Sequence, residues 1–161
     1  MKTINSYFLL SIFLGATLTS CSKFSSEKKL AQTPENGRVV AMGKEGKKLS
    51  EKEWHNKLPD GIWREFNNEE LLVREYSWKE GKKSGSWKNF YDNGQLATEE
   101  HYQNDLLEGE STSYYPNGKK SFHGVFHHGN KSGFFSTWNP DGSKILEEKW
   151  LEGAKILPKR H

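Results

Sequence analysis

Two patterns of apolar residues organise the chain. From Tyr7 to Leu18 they run nearly without interruption, and Lys2 is the only charge before them. That run is too short to span a bilayer comfortably and has the layout of a secretory signal over 1–20. Residues 21–36 are mostly Ser, Lys, Glu, Gln and Pro without periodicity, which predicts a flexible tether. Beyond it, hydrophobic positions recur at a long period. Gly61, Gly85, Gly109 and Gly133 are 24 residues apart. Two positions after each stand Trp63, Trp87, Ser111 and Phe135, and five positions after each stand Phe66, Phe90, Tyr114 and Trp138. Trp78, Tyr102, Phe126 and Trp150 follow seventeen after, and Gly81, Asp105, Gly129 and Gly153 twenty after. Of the 16 aromatics between Gly61 and Ile156, 11 fall in these three aromatic columns, so the period belongs to the structure and is not chance.

Each unit reads as a β-hairpin. Asn93-Gly94, Asn117-Gly118 and Asp141-Gly142 are dipeptides favoured in tight type I′ turns, and the flanking residues are aromatic or β-branched. A short strand such as Ser86–Tyr91 enters the turn and a longer one such as Gln95–Gln103 leaves it. Gly-rich turns such as Gly81–Gly85 and Gly129–Gly133 are expected to join the units. The register extends backwards through Gly37, Gly46 and Trp54, so 37–60 reads as a degenerate capping unit ahead of four hairpin repeats over 61–156. A basic tail, 157–161, closes the chain and discourages strand addition at that edge. Terminal repeats are commonly atypical because one side has no neighbour.

Composition narrows the class. The 161 residues are 33% hydrophobic, 28% charged and 13% aromatic, and mean hydropathy is −0.91. Such a chain is too polar for a polytopic membrane protein and too aromatic for simple disorder. The expected fold is all-β, an elongated antiparallel meander of consecutive hairpins. Its aromatics supply the burial that few aliphatics provide, each covering roughly 150–250 Å². Net charge is +3 with both signs interspersed, which excludes the concentrated basic face of a nucleic-acid binder.

Leu18-Thr19-Ser20-Cys21 resembles the bacterial lipobox, whose cysteine becomes the lipidated first residue of the mature protein. The resemblance implies a membrane anchor at Cys21, the sole cysteine. Ser22 follows it, and the lack of an Asp there implies the outer membrane. The repeats resemble the MORN family in its variant bacterial form. The matching residues are Trp78-x-x-Gly81-x-x-x-Gly85 and Phe126-x-x-Gly129-x-x-x-Gly133, with Tyr115-Pro116-Asn117-Gly118 and Asn139-Pro140-Asp141-Gly142 as turns. Asp105, Glu70 and Ser111 depart from the pattern. The resemblance implies a twisted sheet of hairpins used as a scaffold; some bacterial members are antitoxin-like, and phospholipid binding has been proposed for eukaryotic ones.

Little in the chain points to catalysis. His123 and His127 fall on one face of a strand with His128 pointing the other way, and no third metal ligand is spaced with them. Neighbouring carboxylates in Glu99-Glu100 and Glu147-Glu148 face opposite sides of a strand. Gly81–Gly85 and Gly129–Gly133 lack the spacing of a phosphate-binding loop, and no nucleophile elbow occurs. No catalytic residue, metal or cofactor is expected. The candidate binding surface consists of Tyr91 and Tyr115, which alternation turns away from Phe90 and Tyr114, and of Lys83 and Lys131 along a rim. The reading is a non-enzymatic, lipid-anchored envelope protein whose repeats bind or scaffold a protein partner. A glycan- or peptidoglycan-binding protein, or an antitoxin- or immunity-like one, is the alternative.

Overall fold

The structure, a computed structural model, describes residues 33–156. Cys21, the signal segment, most of the tether and the tail 157–161 lie outside the described residues. The strands are β1 (Gly37–Met42), β2 (Lys48–His55), β3 (Leu58–Pro59), β4 (Gly61–Phe66), β5 (Leu72–Lys79) and β6 (Lys82–Phe90). They continue as β7 (Leu96–Gln103), β8 (Leu106–Tyr114), β9 (Lys120–His127), β10 (Asn130–Trp138), β11 (Lys144–Leu151) and β12 (Ala154–Ile156). All pair antiparallel in one open sheet of 12 strands, each beside its neighbour in sequence, with β3 pairing β2 ahead of β4. The fold is the all-β meander that the 24-residue period predicts.

Every hairpin carries the same irregularity. Glu65 pairs Arg74 but Phe66 pairs Leu72, which leaves Val73 as an extra residue. The slip recurs at Ala97, Ser121 and Ile145, one period apart. It occurs also at Leu49 in the β1–β2 hairpin, one period upstream of Val73. A second slip lies inside the entering strands. Tyr76 pairs Trp87 and Trp78 pairs Lys83, so Ser84, Gly85 and Ser86 oppose Ser77 alone. Similar slips lie around Gly109 and Gly133. Bulges bend a strand and increase its twist. Gly85, at φ +86, provides the left-handed backbone that the second bulge needs.

The turns correct the sequence reading. At Asn93-Gly94, Asn117-Gly118 and Asp141-Gly142 only the glycine has positive φ, at 79°, 79° and 94°. The Tyr91 carbonyl accepts from the Gly94 amide at 2.8 Å, and the Tyr91 amide donates to Gln95 O at 2.8 Å. This is a type I turn followed by a left-handed glycine. Type I′ is excluded there because its first central residue needs positive φ, and Asn93, Asn117 and Asp141 do not have it. The type I′ turns are the links between repeats: Glu80-Gly81, Asn104-Asp105, His128-Gly129 and Glu152-Gly153, each with both residues at positive φ. The links are therefore two residues long, and Gly85 and Gly133 lie within the following strands.

Side chains on one face build an aromatic row. Ring centroids are 4.8 Å apart for Trp54–Trp63, 5.3 Å for Trp63–Trp78, 5.0 Å for Trp78–Trp87 and 5.4 Å for Trp87–Tyr102. Ser111 and Gly124 interrupt the row. It resumes with Phe126–Phe135 at 5.2 Å and Phe135–Trp150 at 6.2 Å. Phe66, Phe90, Tyr114 and Trp138 stand apart from it, each at the residue where its hairpin register slips. Chain neighbours Ser111 and Thr112 point to opposite faces, yet are only 5% and 6% exposed. The bent sheet thus shields its midline on both sides.

Candidate binding faces

The first face is the aromatic one. Lys83 and Lys131, two periods apart, lie on it rather than along a rim. Lys83 Nζ sits 4.2 Å from the Trp87 ring centroid and 4.7 Å from that of Tyr102. Lys131 Nζ sits 4.9 Å from Phe135 and 4.4 Å from Trp150. Each ammonium bridges two rings on neighbouring strands, an attraction of about 0.5–2 kcal/mol that grows as water is removed. Indole N–H groups of Trp63 and Trp87 donate to Glu53 O and Ser77 O at 2.8 and 2.9 Å. Tyr102 donates to Glu100 at 2.9 Å. Burial, and then that carboxylate, push the Tyr102 phenol up to about 12. The Trp78 indole N–H is buried without an acceptor among the described residues. Its column explains this: Glu100 and Glu148 stand two residues before Tyr102 and Trp150 and accept from them, whereas Tyr76 stands there in the earlier repeat.

A shallow groove of about 570 Å³ crosses this face beside the first bulges, lined by Lys52, Glu65, Phe66, Arg74, Asn89 and Phe90. Glu65 pairs Lys52 at 3.8 Å and Arg74 at 3.1 Å, so its carboxylate is matched by cations on both sides.

The opposite face carries a polar row that crosses the sheet one residue per strand. Glu51, Arg64, Glu75, Lys88, Glu99, Thr112, His123, Ser136 and Glu147 are successive direct cross-strand partners. Charges alternate over the first five. Arg64 reaches Glu75 at 2.8 Å and Glu51 at 3.9 Å, and Lys88 reaches Glu99 at 3.4 Å. The row then turns to hydrogen bonds, Thr112 to His123 at 3.1 Å and Ser136 to Glu147 at 3.0 Å. Opposite charges placed directly across a sheet stabilise it by roughly 0.2–1 kcal/mol per pair. Glu51, Thr112 and Ser136 are the row's buried members, and of these Glu51 carries the charge. A hydrogen bond from Lys48, followed by Arg38, holds its carboxyl below the usual value against the opposing effect of burial.

Tyr91 and Tyr115 are half-buried, not an open platform. The Tyr91 hydroxyl donates to Tyr114 O and the Tyr115 hydroxyl to Trp138 O, both at 2.7 Å. Asn93 and Asn117 side-chain amides reach Pro116 O and Pro140 O at 3.3 and 2.8 Å. These four residues tie the Asn93-Gly94 turn to the Asn117-Gly118 turn and that one to Asp141-Gly142, a role that strand alternation alone does not reveal. The link turns are tied too. The backbone amides of Gly81, Asp105, Gly129 and Gly153 donate to the carbonyls of Pro59, Lys83, Leu107 and Lys131 at 2.8, 3.1, 2.9 and 3.0 Å. The histidines also differ from expectation. His123 belongs to the polar row, whereas the rings of His127 and His128 approach to 4.2 Å. His128 occupies a type I′ turn position at φ 49°, so strand alternation does not govern it.

Hairpins β6–β7 and β8–β9 repeat one geometry 24 residues apart. Residues 83–104 and 107–128 match the MORN repeat variant. The two matched stretches each run from the strand after one link turn to the next link, so a MORN repeat here is one hairpin with both of its bulges. No curated protein matches the chain. The hairpins β4–β5 and β10–β11 share the first bulge and the type I-plus-left-handed turn of the MORN repeats, with Glu70 at φ 61° replacing the turn glycine in the former.

Proposed function

We propose that the protein is a non-enzymatic cell-envelope protein, lipid-anchored through Cys21 in the bacterial outer membrane, whose MORN repeats bind or scaffold a protein partner. One observation carries the binding role: among the described residues Phe135 is the only buried hydrophobic side chain, at 4% exposure. The aromatic row is half-buried with no second layer of described residues over it. Aromatic side chains topped by lysines suit a protein surface that brings apolar groups and carboxylates together, since aromatics dominate binding energy at interfaces.

Two experiments test this reading. Cys21→Ala should abolish acylation and move the protein out of the membrane fraction; unchanged fractionation refutes the anchor. Capture from a detergent-solubilised envelope extract, with purified peptidoglycan as a parallel arm, addresses the partner. One stoichiometric protein, released by Lys83→Glu with Lys131→Glu, supports the scaffold. Retention of peptidoglycan alone moves the function to glycan binding.

A further inference from the structure

The fold brings three metal-ligand side chains together at one link between repeats. Glu108 lies in β8 opposite the end of β9, where His127 stands, and His128 opens the turn into β10. One ligand atom from each of the three side chains lies within 4.8 Å of the others. His127 Nδ1 is 2.7 Å from Glu108 Oε1, and the His128 backbone amide donates to Glu108 Oε2 at 2.7 Å. Sequence spacing paired His127 with His123 and found no third ligand; the third is Glu108, brought in from the adjacent strand.

The fold does not require this combination. At the positions of Glu108 and His127 the neighbouring repeats carry Asp60 with Lys79, Ser84 with Gln103, and Ser132 with Leu151. Those pairs support the same link turns without two imidazoles. Two imidazoles and a carboxylate are a zinc donor set. Ligands around a tetrahedral zinc stand about 3.3 Å apart at bond lengths of roughly 2.0–2.2 Å, so small rotations of the exposed imidazoles about the half-buried Glu108 close the site.

We propose that Glu108, His127 and His128 bind a divalent transition-metal ion of the zinc class, which fastens the start of β8 to the β9–β10 turn. Coordination requires a neutral imidazole nitrogen from each histidine, so any proton it displaces passes to solvent. The remaining coordination position is left to water, because all three residues are reached from the surface.

The test uses the untagged full-length protein, stripped with a chelator and titrated with Zn²⁺ alone by calorimetry at neutral pH. One equivalent is expected to bind and to raise the melting temperature. Glu108→Gln, His127→Ala and His128→Ala should each weaken binding at least about tenfold, and the triple variant should lose the equivalent. Absence of saturable binding, or an equivalent retained by a folded triple variant, overturns the site. Should the variants misfold, ring resonances of the unmodified protein decide: His127 and His128 must shift on Zn²⁺ addition while His55, His101 and His123 do not, and the reverse pattern overturns it.

Discussion

At Gly124 the missing side chain admits its neighbour. A Cβ there would meet the Phe135 ring at 2.5–2.9 Å, closer than real contacts allow. Gly124→Ala should therefore cost about 1–3 kcal/mol, as overpacking does, read as a lowered urea midpoint; Phe135→Leu in the same background should recover part of the loss. Glu51 makes a different prediction. Its lowered pKa means that its ion pairs act fully above the ordinary value of 4.5 and fade as the pH falls through the folded value. Glu51→Gln should lower stability at neutral pH, and the difference from the unmodified protein should shrink as the pH is taken below 4.5. Unfolding curves at a series of pH values check this. Other carboxylates also hold lowered pKa values, so the difference between the two proteins isolates Glu51.

The hairpin is the element in which sequence was most legible and also misled. Gly118 has φ +79 and, apart from its chain neighbours, no heavy atom of the described residues within 4 Å of a would-be Cβ, so its constraint lies in the backbone. Gly118→Val should cost about 1 kcal/mol or more, measured by thermal melting, while Gly118→Asn should be milder because Asn tolerates this region. Periodicity located the hairpins and the aromatic columns at two and seventeen. The turn type differs because the central pair lies one residue earlier than Asn-Gly suggests, at Asp92-Asn93, Pro116-Asn117 and Pro140-Asp141, where Pro at the first central position favours type I. The bulges were hidden since each adds residues without breaking the 24-residue period. Tyr91 and Tyr115 were misplaced for the same reason, as strand alternation does not continue through a bulge and turn. The polar row was visible in principle. Its members alternate in spacing between 13 and 11 residues, from Glu51 to Arg64 to Glu75 and onward to Glu147, but that signal appears only once hairpin register is known.

For the molecule as a whole, stability should be graded along the sheet. Phe135, Ser111, Thr112 and Ser136 are buried in β8 and β10, whereas every residue of β1 and β12 is exposed. Hydrogen exchange should then be slowest across β8–β10 and fastest in β1 and β12, because opening begins where few neighbours hold a strand. Uniform protection throughout would contradict a chain of neighbour-by-neighbour contacts. Glu108, His127 and His128 sit at the edge of the slow region, so a change of exchange confined to that link upon zinc addition would be separable from the general gradient. The ties between successive turns have one more consequence. Each link amide bonds to a carbonyl one strand pair upstream, and each polar partner follows the last after 13 and then 11 residues. Gaining or losing a single residue would send both rows to the wrong sides, whereas a whole block of 24 preserves them. The length of this protein is in effect quantised: duplication or loss of a full unit is the least disruptive genetic step, and the reach of its surface can be reset by copy number without redesigning any repeat.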